Sequence, residues 1–487
     1  MNANPDASWP AHPNLTGGFA PQLRESDFPK LEVTGEIPRE LEGTLYRNGP
    51  NPQFPPRGGA AYHWFDGDGM VHAISFAGGR AAYRNRWVRT RRFELERKAG
   101  QALFGGLRSM SHTDPDAWRE LESQGLSSYD RVKLAVDAAN TNIVWHGGRL
   151  LALLEVDLPT EVDPRTLETL GRHSYGGRLR NEMTAHPKVD PETGELLFFG
   201  YSAEPPFLRY HVVDASGRLT RSVDVPRRVG TMMHDFIATR NHVIFPEFPV
   251  TIRPENLHSN DLFRWEPELG TRVGVMPRAG TAADAVWFEL EACFVYHFMN
   301  AHEVGRRIVV EAVKYPRVAL FPTARPGEDE PGPTPGLLTR WTFDLDTRSF
   351  SEQVIDDIQS EFPRLDERRA GLAYRHGYAV GTVPRGDATL PFNSIVHYDL
   401  ATGTRRVHAL PDGSSASEAV FVPRSDSAPE GDGFLLAPVY RWAEDRSDVL
   451  VLDAANVAGA PLAVVRVPQR IPFGFHGNYA AGGTLSA

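Results

Sequence analysis

Short runs of β-branched and aromatic residues, separated by turn residues, recur along most of the chain. Gly43-Thr-Leu-Tyr-Arg47, Met70-Val-His-Ala-Ile-Ser-Phe76, Gly148-Arg-Leu-Leu-Ala-Leu-Leu154 and Leu196-Leu-Phe-Phe-Gly-Tyr201 each predict a strand. Many of the runs end in Asp followed by a Gly-containing turn, as in Val189-Asp-Pro-Glu-Thr-Gly194, Val213-Asp-Ala-Ser-Gly217 and Tyr398-Asp-Leu-Ala-Thr-Gly403; Phe343-Asp-Leu-Asp-Thr347 lacks the Gly. The Asp side chain bonds backbone amides two residues on and Gly supplies a positive φ, so each segment predicts a hairpin. Asp344, Asp399 and Asp453 open such turns at intervals of 55 and 54 residues. That spacing suits one four-stranded propeller blade per interval. The pattern alone leaves a β-propeller, a sandwich and a two-domain all-β fold open. Only Asp116 to Leu134, with Trp118, Leu121, Leu126 and Val132 loosely periodic, reads as helical, and Thr323 to Pro335 reads as an exposed loop.

Composition agrees with many short elements: 487 residues hold 44 Gly and 39 Pro. Length suggests about three domains, although all-β units run large. The formal charge of −10, with acids interleaved among arginines such as Arg86 to Arg97, argues against a nucleic-acid partner. One cysteine, Cys293, excludes an intramolecular disulfide framework and a cysteine metal cage, so histidines and carboxylates would hold any metal. The first 25 residues form a polar tail without a basic n-region and apolar h-region, and no apolar run approaches a membrane span. These features predict a cytoplasmic protein, with contact to a membrane surface left open.

There is no Walker loop, GxGxxG, GxSxG or HExxH. Asp66-Gly-Asp68-Gly69 lacks the downstream ligands of a calcium loop and reads as a tight turn. Four histidines lie in apolar or turn-bounded contexts: Thr184-Ala-His186-Pro-Lys, Met232-Met-His234-Asp-Phe, Phe294-Val-Tyr-His297-Phe-Met-Asn300 and Pro472-Phe-Gly-Phe-His476-Gly. Separations of 48, 63 and 179 residues rule out a local chelate pair. A propeller removes that difficulty, because the inner strands of distant blades converge on one axis.

These four segments, in this order, resemble the iron-binding histidine motifs of the carotenoid cleavage oxygenase family. The resemblance spans nearly the whole chain, through Leu45-Tyr-Arg-Asn-Gly-Pro-Asn51, Trp64-Phe-Asp-Gly-Asp-Gly-Met70, Ala139-Asn-Thr-Asn142, Ala185-His-Pro-Lys-Val-Asp-Pro191, Phe421-Val-Pro-Arg424 and Phe473-Gly-Phe-His476. It implies one domain over 1–487, an all-β seven-bladed β-propeller, with a helical and loop cap near 100–135 over an axial iron site. It implies Fe(2+) held by His186, His234, His297 and His476. Three of those rings would be oriented by Glu155, Glu361 and Glu418. Thr141 matches a family threonine beside the open coordination side, where its methyl would direct dioxygen; the alternative is a hydroxyl bonded within its own blade.

The reaction implied is oxidative cleavage of a conjugated C=C bond by O₂ into two carbonyl products. Tyr62-His-Trp-Phe65 and Phe199 to Tyr210 resemble carotenoid-cleaving members, whereas Glu96 to Leu107 and Trp265 to Gly270 resemble lignostilbene- and isoeugenol-cleaving ones. The phenol-cleaving members hold a hydroxyl with Tyr and Lys; the matching positions here are Leu107 and Leu154, which favours a carotenoid or apocarotenoid over a stilbene or phenylpropene. Phe298 and Phe475 complete the expected substrate contacts, and Phe298-Met299 departs from the family pattern after the third histidine. Two further alternatives are retinyl-ester isomerohydrolysis and a non-catalytic propeller that only binds a partner. The resemblance leaves oligomeric state open.

Overall fold

The computed structural model describes residues 9–180, 182–318, 334–385 and 390–482. Within them the antiparallel strands form seven blades around one axis, each built on four strands, with Asp27–Phe28 added to the edge of the first and Glu32–Gly35 and Ser414–Ala416 added to the seventh. The second, third and fourth blades are consecutive: Asn142–His146 to Thr169–Arg172, Lys188–Val189 to Leu219–Asp224, and Ile237–Ala238 to Val286–Leu290. The fifth and sixth share one long strand, Ser349–Leu365. Its first part is the outer strand beside Leu337–Asp344, and from Gln359 onward it pairs with His376–Thr382 as an inner strand. The seventh runs from Val420–Pro423 to Ala463–Val467.

Two pairings close the ring. The C-terminal strand Gly477–Ala481 is the innermost strand of the first blade, against Gly43–Pro50, and the N-terminal strand Glu32–Gly35 adds to the outer edge of the seventh, against Ala463–Val467. Each of these two strands is the edge strand of its sheet and pairs with a neighbour far from it in sequence.

The Asp turns behave as the pattern predicts. Asp344 Oδ1 accepts from the amides of Asp346 and Thr347, Asp399 Oδ1 from Ala401 and Thr402, and Asp453 Oδ1 from Ala455. Each of these residues ends the third strand of its blade, in the fifth, sixth and seventh blades, so the 55- and 54-residue intervals measure the blade repeat.

The cap leaves the first blade after Trp87 and rejoins the second at Asn142. Its helical part starts at Arg91, earlier than the 100–135 reading, and contains Arg91–Ala99, Pro115–Ser123 and Ser128–Val136. The helices begin at side-chain caps: Thr90 accepts from the Phe93 amide, Asp114 from Asp116 and Ala117, and Ser127 from Asp130. A hairpin of the fourth blade, Val250–Ile252 with Phe263–Trp265, approaches these helices, where His258 meets Ser128 and Trp118 edge-on. Leu121, Val132, Leu134 and Ala135 pack into the same core as Phe199, Phe236 and Phe245 of the third and fourth blades.

The N-terminal segment is packed where described: Phe19 lies against Trp64 and Phe473. Of the Thr323 to Pro335 loop, only the last two residues fall within the described part. Among the described residues no helix is long and apolar enough to cross a membrane.

Candidate metal centre

Every blade sends one residue of a seven-membered set toward the axis. His476, His186, His234 and His297 stand at or just before the inner strands of the first, third, fourth and fifth blades; Glu361 and Glu418 do so in the sixth and seventh, and Glu155 follows the second strand of the second. The inner strands of the third and fourth blades are only two residues long, Lys188–Val189 and Ile237–Ala238, because each is preceded by the loop carrying its histidine.

The four histidines are buried and their ligand nitrogens all lie within 4.8 Å of one another. His186 and His234 approach Nε2 to Nε2 at 3.0 Å, His234 and His297 at 3.2 Å, and His297 and His476 at 3.1 Å. On the opposite ring edge His234 Nδ1 donates to Glu155, His297 Nδ1 to Glu361 at 2.5 Å and His476 Nδ1 to Glu418 at 2.9 Å. A neutral imidazole that donates from Nδ1 presents a bare lone pair at Nε2. Three such lone pairs, with His186 beside them, face one another at hydrogen-bond distance with no proton between them. That arrangement is repulsive unless a cation sits among the rings. A metal–nitrogen bond of about 2.1 Å puts neighbouring ligands at right angles about 3.0 Å apart, close to the separations observed. The donor set therefore fits a divalent metal.

The three carboxylates are held by different means. Glu155 also accepts from Tyr201 at 2.8 Å and Glu361 from Tyr315 at 3.0 Å. Burial, then the neighbouring carboxylate, pushes both phenols far up, so they remain neutral donors. Glu418 is flanked by Arg364 at 3.3 Å and Arg47 at 3.9 Å. Burial alone would raise the Glu418 carboxyl; Arg364, His476 and Arg47 outweigh it and hold it far down. Burial alone would likewise raise Glu361, and His297 reverses the direction. Burial and the neighbouring rings push His186 well down, and burial brings His476 to about 4. His234 moves up, because Glu155 outweighs its burial.

Over one side of the ring lies an apolar cavity of about 160 Å³, walled by Trp64, Phe65, Leu107, Leu154, Tyr296 and Phe475 among others. Thr141 also borders it; its hydroxyl donates to Asn140 Oδ1 at 3.1 Å, so its polar atom is committed to its neighbour. Leu107, Leu154 and Phe475 thus fall where the sequence places them. Phe298 does not: it packs on Trp341, outside this cavity. The expectation rested on its place beside the third histidine, but the strand Phe294–Val304 shifts register on either side of Phe298. Tyr296 therefore occupies the cavity wall, while the Phe298 amide donates to Asp235 Oδ2 at 3.0 Å.

Sequence reasoning also missed Tyr201, Tyr315, Arg47 and Arg364. Tyr201 and Arg47 lie inside segments already singled out, and the signal was a polar side chain in an otherwise apolar strand. Tyr315 and Arg364 carry no such mark.

Comparison with known proteins covers nearly the entire chain. Residues 19–481 match the family model described as retinal pigment epithelial membrane protein. The chain is 38% identical over 481 residues to an isoeugenol monooxygenase of Pseudomonas nitroreducens, covering 96% of this chain and 97% of that one. It is 34% identical to carotenoid 9,10(9',10')-cleavage dioxygenase 1 of Arabidopsis thaliana, covering 97% of this chain and 90% of the relative. The crystal structure of a lignostilbene dioxygenase from Pseudomonas brassicacearum superposes with a TM-score of 0.89 at 34% identity, over 98% of this chain and all of that one.

Proposed function

The chain belongs to the carotenoid cleavage oxygenase family, which the retinal pigment epithelial membrane protein model describes, and from that premise we propose that it is a non-haem Fe(2+) dioxygenase cleaving a conjugated C=C bond of a carotenoid or apocarotenoid into two carbonyl products. Its ligands are His186, His234, His297 and His476, with Glu155, Glu361 and Glu418 fixing three of the rings. The observation that carries the reading is the convergence of four imidazole nitrogens beside an apolar cavity. Ferrous iron bound there supplies the activation of dioxygen next to the alkene.

The chain's own groups do the rest. The aromatic and aliphatic walls hold the conjugated segment and exclude water; about 160 Å³ suits roughly one aromatic ring, or the equivalent stretch of polyene around the scissile bond. Tyr201, Tyr315 and the arginines orient the carboxylates, which hold the histidines in the tautomer that leaves Nε2 free. Leu107 and Leu154 offer no donor to a phenolate, and the hydroxyls of Tyr201 and Tyr315 already serve Glu155 and Glu361.

A phenylpropene or stilbene is the second reading, favoured by 38% identity to an isoeugenol monooxygenase and by the close superposition on a lignostilbene dioxygenase. The buried, free Cys293 supports a reducing cytoplasm as the setting, with contact to a membrane surface as the source of an apolar substrate. Anaerobic ferrous reconstitution followed by oxygen uptake with an apocarotenal, a stilbene and isoeugenol in parallel tests the reading. Uptake with the apocarotenal foremost is expected. Uptake only with the phenolic substrates transfers the assignment to the second reading, and bound iron with no uptake from any of the three refutes cleavage.

A further inference from the structure

The histidine ring stands between two cavities of different character. Beyond it, along the inner strands of all seven blades, runs a cavity of about 670 Å³, the more polar of the two, with charged side chains of both signs in its lining. His234 borders only the apolar cavity and His186 only the polar one, while His297 and His476 border both. The single further residue common to the two is Phe362. Its ring stacks on His297 with centroids 5.2 Å apart and tilts against His476 at 5.5 Å. Its backbone has φ +51°, a left-handed conformation that a bulky residue adopts only where its surroundings impose it. Here the amide is drawn onto its neighbour's carboxylate, Glu361, at 2.5 Å.

The two cavities differ in what they let through. A divalent cation carries tightly held water, and shedding it among Trp64, Phe65 and Phe475 without compensation is prohibitively costly. The polar cavity instead presents Asp190, Asp235 and Glu418, ion-paired with Arg278, Lys188 and Arg364 respectively, so an ion entering it meets carboxylate oxygens among paired charges rather than an aromatic wall. His186, on this side, is the one member of the four with no carboxylate on Nδ1 among the described residues.

We infer that the polar axial cavity is the route by which the divalent cation reaches and leaves the four-histidine centre, with Phe362 as the wall that separates this aqueous route from the alkene cavity. The inference rests on the metal-centre reading but not on the reaction.

Ser425 is exposed on the rim of the polar cavity and Leu107 lies in the wall of the apolar one. The only native cysteine, Cys293, is buried, so Ser425→Cys and Leu107→Cys each introduce one reactive thiol for a maleimide bearing a polyethylene glycol chain. Metal-free protein is mixed with Co²⁺ and bound cobalt per chain is followed after rapid desalting, each variant serving as its own control before and after labelling. Labelling at 425 is expected to slow uptake about tenfold, and labelling at 107 to leave the rate within about twofold. An unchanged rate after labelling at 425, or equal slowing from 107, overturns the route. Wild-type protein that takes up no cobalt overturns the metal centre along with it. Cobalt uptake as described in a protein that cleaves no alkene leaves the route standing and refutes only the proposed reaction.

Discussion

Glu418 sits where three charges meet, and substitution there separates the roles of the site's carboxylates. Its Oε1 receives the His476 Nδ1–H while Arg364 and Arg47 approach from the other directions. In Glu418→Gln the amide carbonyl still accepts from His476, but buried Arg47 loses its counter-charge and Arg364 keeps only Glu367. Metal affinity is expected to fall about 10- to 100-fold, with a destabilisation of about 3 to 5 kcal/mol. His234→Ala removes a ligand outright and should abolish retention of iron. Equilibrium dialysis against ferrous ion, read by metal analysis, checks both, and normal iron content in His234→Ala refutes its role as ligand. The histidines were legible in the sequence because an imidazole in an apolar run is conspicuous, and the glutamates through the family motifs they match. Tyr315 was not, since a tyrosine suits a buried strand for its ring alone.

Among the elements, hairpins declare themselves locally and the cap does not. An Asp turn carries its own hydrogen bonds within a few residues, so Asp344, Asp399 and Asp453 mark blade repeats without reference to the rest of the molecule. The helix Arg91–Ala99 was hidden by its charge: among its nine residues only Arg92, Phe93 and Glu96 are buried, and two of these are ionic. Thr90 both caps it and donates its hydroxyl to the Asp137 carbonyl at 2.9 Å, tying its start to the end of the helix Ser128–Val136. Thr90→Ala should therefore cost about 1 to 2 kcal/mol in urea unfolding, the upper end of a lost cap, while Ser127→Ala, whose hydroxyl is tied to Asp130, should cost less. Phe298 makes the opposite point: next to a metal-site histidine in sequence, it is carried outside the apolar cavity by register shifts in its strand.

At the scale of the whole molecule the blades are held to one another by polar ties as well as by the core. Glu303, at the end of the inner strand of the fifth blade, accepts from Thr239, Asn241 and His242 of the fourth. Burial alone would raise its carboxyl; these donors outweigh it and bring it from the usual 4.5 to about 2. A carboxylate lowered by folding stabilises the folded state above its unfolded value and ceases to do so as the pH falls through the folded one. The stability gap between wild type and Glu303→Gln should therefore be full at pH 7 and close between about pH 4.5 and pH 2, as read by urea midpoints across that range. A gap that persists unchanged at pH 2 refutes the assignment.

Taken by itself, the sequence determined the all-β class, the hairpin turns and the spacing of the later blades, and set four histidines apart as polar groups in apolar runs; these follow from local chemistry. The three glutamates, and the reading of the histidines as one ligand set, came from the resemblance to the carotenoid cleavage oxygenase family. Only the tertiary structure decided that residues up to 290 positions apart share one axis, from His186 to His476, which glutamate serves which histidine, that Tyr296 rather than Phe298 faces the alkene cavity, and that a second, polar cavity reaches the same centre from behind. Those facts depend on ring closure and on strand register. Both are set by how whole blades pack around the axis, and no run of neighbouring residues encodes them.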